Sequence, residues 1–185
     1  MYSTAEFRRG LRIEIDGKPY VIVEFQHVKP GKGGAFVRTK LKNLETGQVL
    51  EQTFRSGQKV DKPDLEQRFM QYLYQDGEQY VFMDTQTYDQ VFIQGDYLGD
   101  AINYLIPNLE LQVLYFNGRP IGVEMATAVV LEVTSTEPGV KGDTATGATK
   151  PATLETGFVV QVPLFIQEGD KLKIDTRTGE YLERA

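Results

Sequence analysis

Cysteine is absent from the 185 residues, which excludes disulfides and thiolate metal sites. Histidine is nearly absent. His27 is the only one, no histidine pair exists, and no Asp-x-Asp-type loop gathers the carboxylates into a metal site. The acidic residues instead follow strand faces and turns and read as solvated surface. Long hydrophobic runs are also missing: Met125 to Leu131 is bracketed by Glu124 and Glu132, far short of the roughly 20 apolar residues a membrane helix needs. The opening Met-Tyr-Ser-Thr-Ala-Glu reaches Arg8 and Arg9 with no apolar core behind it, so neither a secretory signal nor a membrane partner is expected and the location expected is cytoplasmic.

What is present is an ordinary globular balance, 41% hydrophobic and 25% charged, far from the profile of disorder. The net charge of −6 argues by itself against nucleic acid, whose partners need a basic surface. That average hides a reversal. Residues 1–64 hold 12 Lys/Arg and 8 Asp/Glu (+4), residues 65–127 hold 2 and 9 (−7), and residues 128–185 hold 6 and 9 (−3). The segments therefore have separate electrostatic roles.

Alternation of apolar and polar residues dominates, with turn residues between the runs, while helical periodicity is scarce. Leu11, Ile13 and Ile15 form a strand, Asp16-Gly17 a hairpin turn, and Tyr20 to Phe25 the return. A second hairpin runs through Val28, turns over residues 29–34 and returns from Ala35 to Leu44, with Val49 to Phe54 closing a small barrel. In the middle segment strands are expected at Arg68 to Tyr74, Tyr80 to Met83 and Leu109 to Phe116, with turns at Asp76-Gly77 and Asn117-Gly118 and a short helix over Asp96 to Leu105. In the last, Val129 to Thr134, Phe158 to Ile166, Lys171 to Ile174 and Tyr181-Leu182 are strand-like, and Glu137 to Pro151 is a long loop of small residues. About five strands per 60 residues, three times over, predicts an all-β chain of three small barrels, SH3-like and oligonucleotide-binding (OB) in kind, over 1–64, 65–127 and 128–185.

The most informative stretch is Lys29 to Lys42. It holds Lys29, Lys32, Arg38, Lys40 and Lys42 and no acidic residue. Pro30 stiffens one side of the tip; Gly31, Gly33 and Gly34 permit positive φ and close backbone approach, leaving Lys32 at the apex. Such a tip suits a crowded, phosphate-lined cavity, and it equally suits an ordinary solvated hairpin. It is no P-loop, lacking Gly-x-x-x-x-Gly-Lys-Ser/Thr and the helix that follows one. His27 has no serine nucleophile nearby and reads as structural, so no catalytic group can be assembled. Phe69, Tyr72, Tyr74, Tyr80, Phe82, Tyr88 and Phe92 could stack bases, but the acidic charge around them favours core packing.

Three blocks of residues carry a resemblance over the whole length: Lys29-Pro30-Gly31-Lys32-Gly33-Gly34-Ala35-Phe36; Gly142-Asp143-Thr144 with Lys150 to Leu154 and Val162 to Phe165; and Asp175 to Tyr181. In these the chain resembles bacterial elongation factor P in its lysine-tipped form. The resemblance implies an SH3-like (KOW-like) barrel and two OB barrels in a tRNA-like L. It implies a monomer that binds the 70S ribosome, through rRNA and ribosomal proteins, between the P and E sites. There it would promote peptide-bond formation at consecutive prolines without being an enzyme or needing a cofactor. Lys32, covalently extended by lysine-modifying enzymes, would hold the P-site peptidyl-tRNA. Lys29, Arg38, Lys40 and Lys42 would supply phosphate contacts around the tip, strand alternation letting only some of them face the tRNA, with Lys29 and Arg38 the two assigned. Gly142, Asp143 and Thr144 would meet the E-site codon of the mRNA, and Tyr181 and Arg184 the tRNA anticodon stem or small-subunit RNA. One departure is that Val123 to Ala128 lacks the paired prolines many members carry. Two rival readings are a paralogue of that factor and a β-barrel protein-interaction module, the latter predicting indifference to Lys32.

Overall fold

Alternation becomes strand almost wherever it occurs. A computed structural model describes residues 1–139 and 148–185. The strands are β1 (Tyr2–Ser3), β2 (Arg12–Ile15), β3 (Lys18–Val28), β4 (Phe36–Asn43), β5 (Val49–Arg55), β6 (Lys59–Val60), β7 (Leu65–Asp76), β8 (Gln79–Asp84), β9 (Gln90–Gln94), β10 (Glu110–Phe116), β11 (Arg119–Glu124), β12 (Ala128–Thr136), β13 (Thr149–Leu154), β14 (Val159–Pro163), β15 (Lys171–Asp175) and β16 (Tyr181–Arg184). They form four sheets: β1-β6, β2-β3-β4-β5, β11-β10-β7-β8-β9 and β14-β13-β12-β15-β16. The fold is all-β, as the alternation predicts.

The chain divides into two compact units, 1–68 with 113–122, and 69–112 with 123–185, so that the middle sheet contributes segments to both. In the first unit, one face of β2-β3-β4-β5 buries Ile13, Ile22, Val37, Leu41 and Phe54, and Phe7 meets Phe54 edge-to-face at 5.4 Å. Each such fully buried side chain contributes about 1.5–3 kcal/mol. A smaller cluster of Leu114, Phe116 and Ile121 packs with Leu44 and Leu65. Beside it the Arg119 guanidinium donates to both Glu45 carboxylate oxygens, at 3.3 and 2.7 Å.

In the second unit, alternate residues of β12 and β15, Val129, Leu131, Leu172 and Ile174, meet Leu154, Val160, Val162 and Ile166 in one core. Tyr104 is buried among them, 5.6 Å from Phe158 edge-to-face, and Thr156 Oγ1 donates to the Asn103 carbonyl at 2.6 Å. Burial pushes the Tyr104 phenol up from its ordinary value, with Asp100 and Asp175 adding to the effect.

Three expectations need correction. Residues 96–105 do not form one helix but two 3₁₀ turns, Gly95–Tyr97 and Gly99–Tyr104. Gly99, the first residue of the second turn, has φ +54, a conformation that glycine adopts freely and that breaks a continuous helix. The small-residue loop expected over 137–151 gives way to strand at Thr149. The aromatics split: Tyr72, Tyr80 and Phe82 are core, whereas Phe69, Tyr74, Tyr88 and Phe92 are exposed.

Candidate nucleic-acid interface

The β3–β4 hairpin builds the basic site. Asp16 (φ +51) and Gly17 (φ +75) make a two-residue turn with positive φ at both positions, which matches strand twist and fixes the start of β3. β3 then runs antiparallel to β4 from Tyr20↔Asn43 to Val28↔Phe36, with an irregularity between Ile22 and Glu24. The last paired residues therefore leave 29–35 as the tip. Gly31, Lys32, Gly33 and Gly34 are all exposed there, as is Lys29, while Pro30 is half-buried. Of the three tip glycines only Gly33 has positive φ, +97, so the freedom read from all three is required at one.

Strand geometry sorts the remaining cations. On β4, Val37, Thr39 and Leu41 point into the core, so Arg38, Lys40 and Lys42 share the outer face. Cross-strand register then separates them. Lys40 lies opposite Glu24 on β3 and Glu51 on β5, and its Nζ is 3.7 Å from Glu24 Oε2. Arg38 faces Gln26 and Thr53, and Lys42 faces Val21 and Val49, so neither has a carboxylate directly across. The Arg38 guanidinium lies 6.0 Å from the centroid of the Phe36 ring. The sequence offers Arg38, Lys40 and Lys42 alike as phosphate contacts; the pairing of Lys40 with Glu24 is set by the register and takes Lys40 out of that group. His27 is exposed and meets Phe25 edge-to-face at 5.7 Å, a structural contact.

Tyr181 and Arg184 both lie on β16. Tyr181 is half-buried and packs on the core of its sheet. Arg184 is exposed, with its guanidinium 5.5 Å from the Phe165 ring centroid and Phe165 itself 58% exposed. That pairing joins two segments of the sequence that no local pattern links. Before β16, Asp175 Oδ1 accepts from the Arg177 backbone N–H at 2.8 Å, and its two oxygens accept from the Arg177 guanidinium at 3.3 and 3.1 Å. These bonds hold the Asp175 carboxyl below its ordinary value. Gly142, Asp143 and Thr144 lie outside the described residues. Lys150 is buried and its Nζ donates to the Glu137 carbonyl. Among the described residues no cluster of three or more His, Asp or Glu could hold a metal ion, and no helix is long and apolar enough to cross a membrane.

Three family models match in sequence order: the elongation factor P KOW-like domain over residues 3–60, the elongation factor P OB domain over 65–123, and the elongation factor P C-terminal domain over 129–184. "Elongation factor P" of Moorella thermoacetica is 60% identical over 185 residues, covering all of both chains. That of Maridesulfovibrio salexigens is 59% identical over 184 residues, covering 100% of this chain and 99% of its own. Among solved structures, "Eukaryotic translation initiation factor 5A from Methanococcus jannaschii" superposes with a TM-score of 0.55 at 28% identity, over 64% of this chain and 88% of that one. An all-β chain of a KOW-like module and OB modules, with a lysine-tipped basic hairpin on the first, is thus a translation factor in class. The chain belongs to the bacterial elongation factor P family.

Proposed function

We propose that the chain binds the 70S ribosome, through rRNA and ribosomal proteins, between the P and E sites and promotes peptide-bond formation at consecutive prolines. The observation that carries this reading is the tip itself. Lys32 stands exposed at the apex of a seven-residue loop, in a stretch from 29 to 42 without one acidic residue. A lysine presented this way reaches into a phosphate-lined site that a broader surface could not enter. Proline reacts poorly in peptide-bond formation because its ring restricts φ and its nitrogen is secondary. A side chain holding the CCA end of the P-site peptidyl-tRNA lowers the barrier by orientation. The chemistry belongs to the ribosome; the chain is not an enzyme and uses no cofactor.

In this reading Lys32 is the residue that lysine-modifying enzymes extend covalently. Lys29 and Arg38 meet phosphates, and the exposure of both together with the carboxylate-free register around Arg38 supports that role. Gly142, Asp143 and Thr144 meet the E-site codon, and Tyr181 and Arg184 meet tRNA or small-subunit RNA. The protein works in the cytoplasm as a monomer of three domains, 1–64, 65–127 and 128–185, a division supported by the three successive family matches.

The test is reconstituted translation of two reporters, one with a Pro-Pro-Pro stretch and one without, using natively purified chain and Lys32→Ala. Acceleration confined to the proline reporter and lost in Lys32→Ala is the expected result. No response from either reporter to the native protein overturns the reading.

A further inference from the structure

The exposed aromatics of the second unit lie on one sheet face. Directly opposed residues of antiparallel strands share a face. The register Tyr74↔Val81 and Val81↔Phe92 therefore aligns Tyr74, Val81 and Phe92 across β7, β8 and β9. Phe69 joins them two residues before Gln71, which is paired with Met83 on the same side. The opposite face carries Tyr72, Phe82 and Ile93, all buried. On the outer face Phe69 is 65%, Tyr74 51% and Phe92 50% exposed, while Val81 between the two flanking rings is fully buried. Tyr74 and Phe92 flank Val81 in one row, and Phe69 stands on the same face beyond the row Gln71, Met83, Gln90, so the three exposed rings mark one side of the sheet.

Charge decides what such a face accepts. Residues 69–112 contain seven acidic residues and no lysine, arginine or histidine. Asp76 lies in the row Asp76, Gln79, Gln94 at one border of the face. The cation next in sequence, Arg68, is bound to Glu66 at 3.0 and 3.2 Å and lies over the Tyr115 ring, so phosphates would meet net negative charge and RNA is disfavoured here. A cation over an aromatic face is attracted by the ring quadrupole, and the net negative charge of residues 69–112 adds a field of the same sense. We propose that the outer face of β7-β8-β9 docks a cationic protein segment whose arginine and lysine side chains seat on Phe69, Tyr74 and Phe92. This surface is distinct from the lysine-tipped hairpin and independent of it.

The experiment uses the full chain with labelled nona-arginine peptide and a 12-residue oligouridylate as probes, read by fluorescence anisotropy. The comparison is a triple variant, Phe69→Leu, Tyr74→Leu and Phe92→Leu, which keeps the face apolar and every carboxylate in place. The expected result is a loss of nona-arginine affinity of about tenfold or more in the variant, with oligouridylate weak for both proteins. Unchanged nona-arginine binding in the variant would mean that bulk charge alone attracts the peptide, and the proposal fails. Tight oligouridylate binding that the variant loses would make the face an RNA platform, and the proposal fails equally. Ring resonances of the unaltered protein provide a second measurement that needs no variant: nona-arginine must shift those of Phe69, Tyr74 and Phe92, and shifts confined to other rings overturn the assignment.

Discussion

Thr39 shows how the basic hairpin combines an outward charge with an inward cost. It sits between Arg38 and Lys40 and points inward, 1% exposed, and its hydroxyl has no hydrogen-bond partner among the described residues. A buried hydroxyl without a partner is destabilising by about 1–3 kcal/mol. Thr39→Val keeps the branched shape and removes that group, so urea unfolding should show a gain of about 1 kcal/mol. An unchanged or lower midpoint would mean that the hydroxyl is satisfied in solution. Asp175 is the opposite case, a carboxylate at the end of β15 whose folded pKa is depressed by the Arg177 bonds. A depressed carboxyl stabilises the fold fully above its unfolded value, about 3.9, and loses that contribution as pH falls through the lower folded value. Asp175→Asn should therefore melt below the unaltered protein at pH 7, and the gap should close as the pH is lowered past 4. A gap of constant size down to pH 2 would assign the effect to side-chain shape.

At the scale of elements, the hairpins were legible because their turns announce themselves. Asp16-Gly17 and Asn117-Gly118 take positive φ at both positions, and each is flanked by alternating residues. β13 was not legible. Pro151 stands inside it, and proline is normally confined to strand edges because it has no N–H to give. The fold meets that condition locally. Pairing of β13 with β12 extends only as far as Ala152, so Pro151 lies beyond it, and its carbonyl accepts from Thr136 Oγ1 at 2.9 Å. The seating of Arg184 over Phe165 and the ion pair of Lys40 with Glu24 were hidden for another reason, since each depends on residues distant in sequence. The tip glycines were legible as a group but not individually. Gly33→Ala forces a φ near +97 on a residue with a Cβ, a cost of about 1–3 kcal/mol that the tip avoids only by changing shape. Gly34→Ala meets no atom within 4 Å and has no positive φ to violate. Rescue of the proline reporter should fall at least several-fold for Gly33→Ala and stay near normal for Gly34→Ala, with both proteins melting alike. Equal losses would show that the missing side chains, rather than the backbone conformation, matter at the tip.

For the whole molecule, the distribution of charge along the chain matters more than its sum. A net −6 protein approaching a polyanion is repelled on average, so binding to one would come from the cations that have no carboxylate directly across from them. In the hairpin these are Lys29, Lys32, Arg38 and Lys42, because Lys40 is already engaged by Glu24. Each phosphate neutralised contributes about 0.7–0.9 to the slope of log affinity against log salt. If all four meet phosphates, the hairpin's share of that slope is about 3. A single phosphate contact removed lowers the slope by about 1 and weakens binding independently of sequence. Ribosome affinity measured across a salt series should therefore lose about one unit of slope in Arg38→Gln and almost none in Lys40→Gln, although the two variants remove the same charge two residues apart on one strand face. Equal losses in both variants would mean that only net charge counts and that the register of β3, β4 and β5 has no part in choosing the contacts. A slope near zero in the unaltered protein would instead mean that the hairpin's cations make no phosphate contacts.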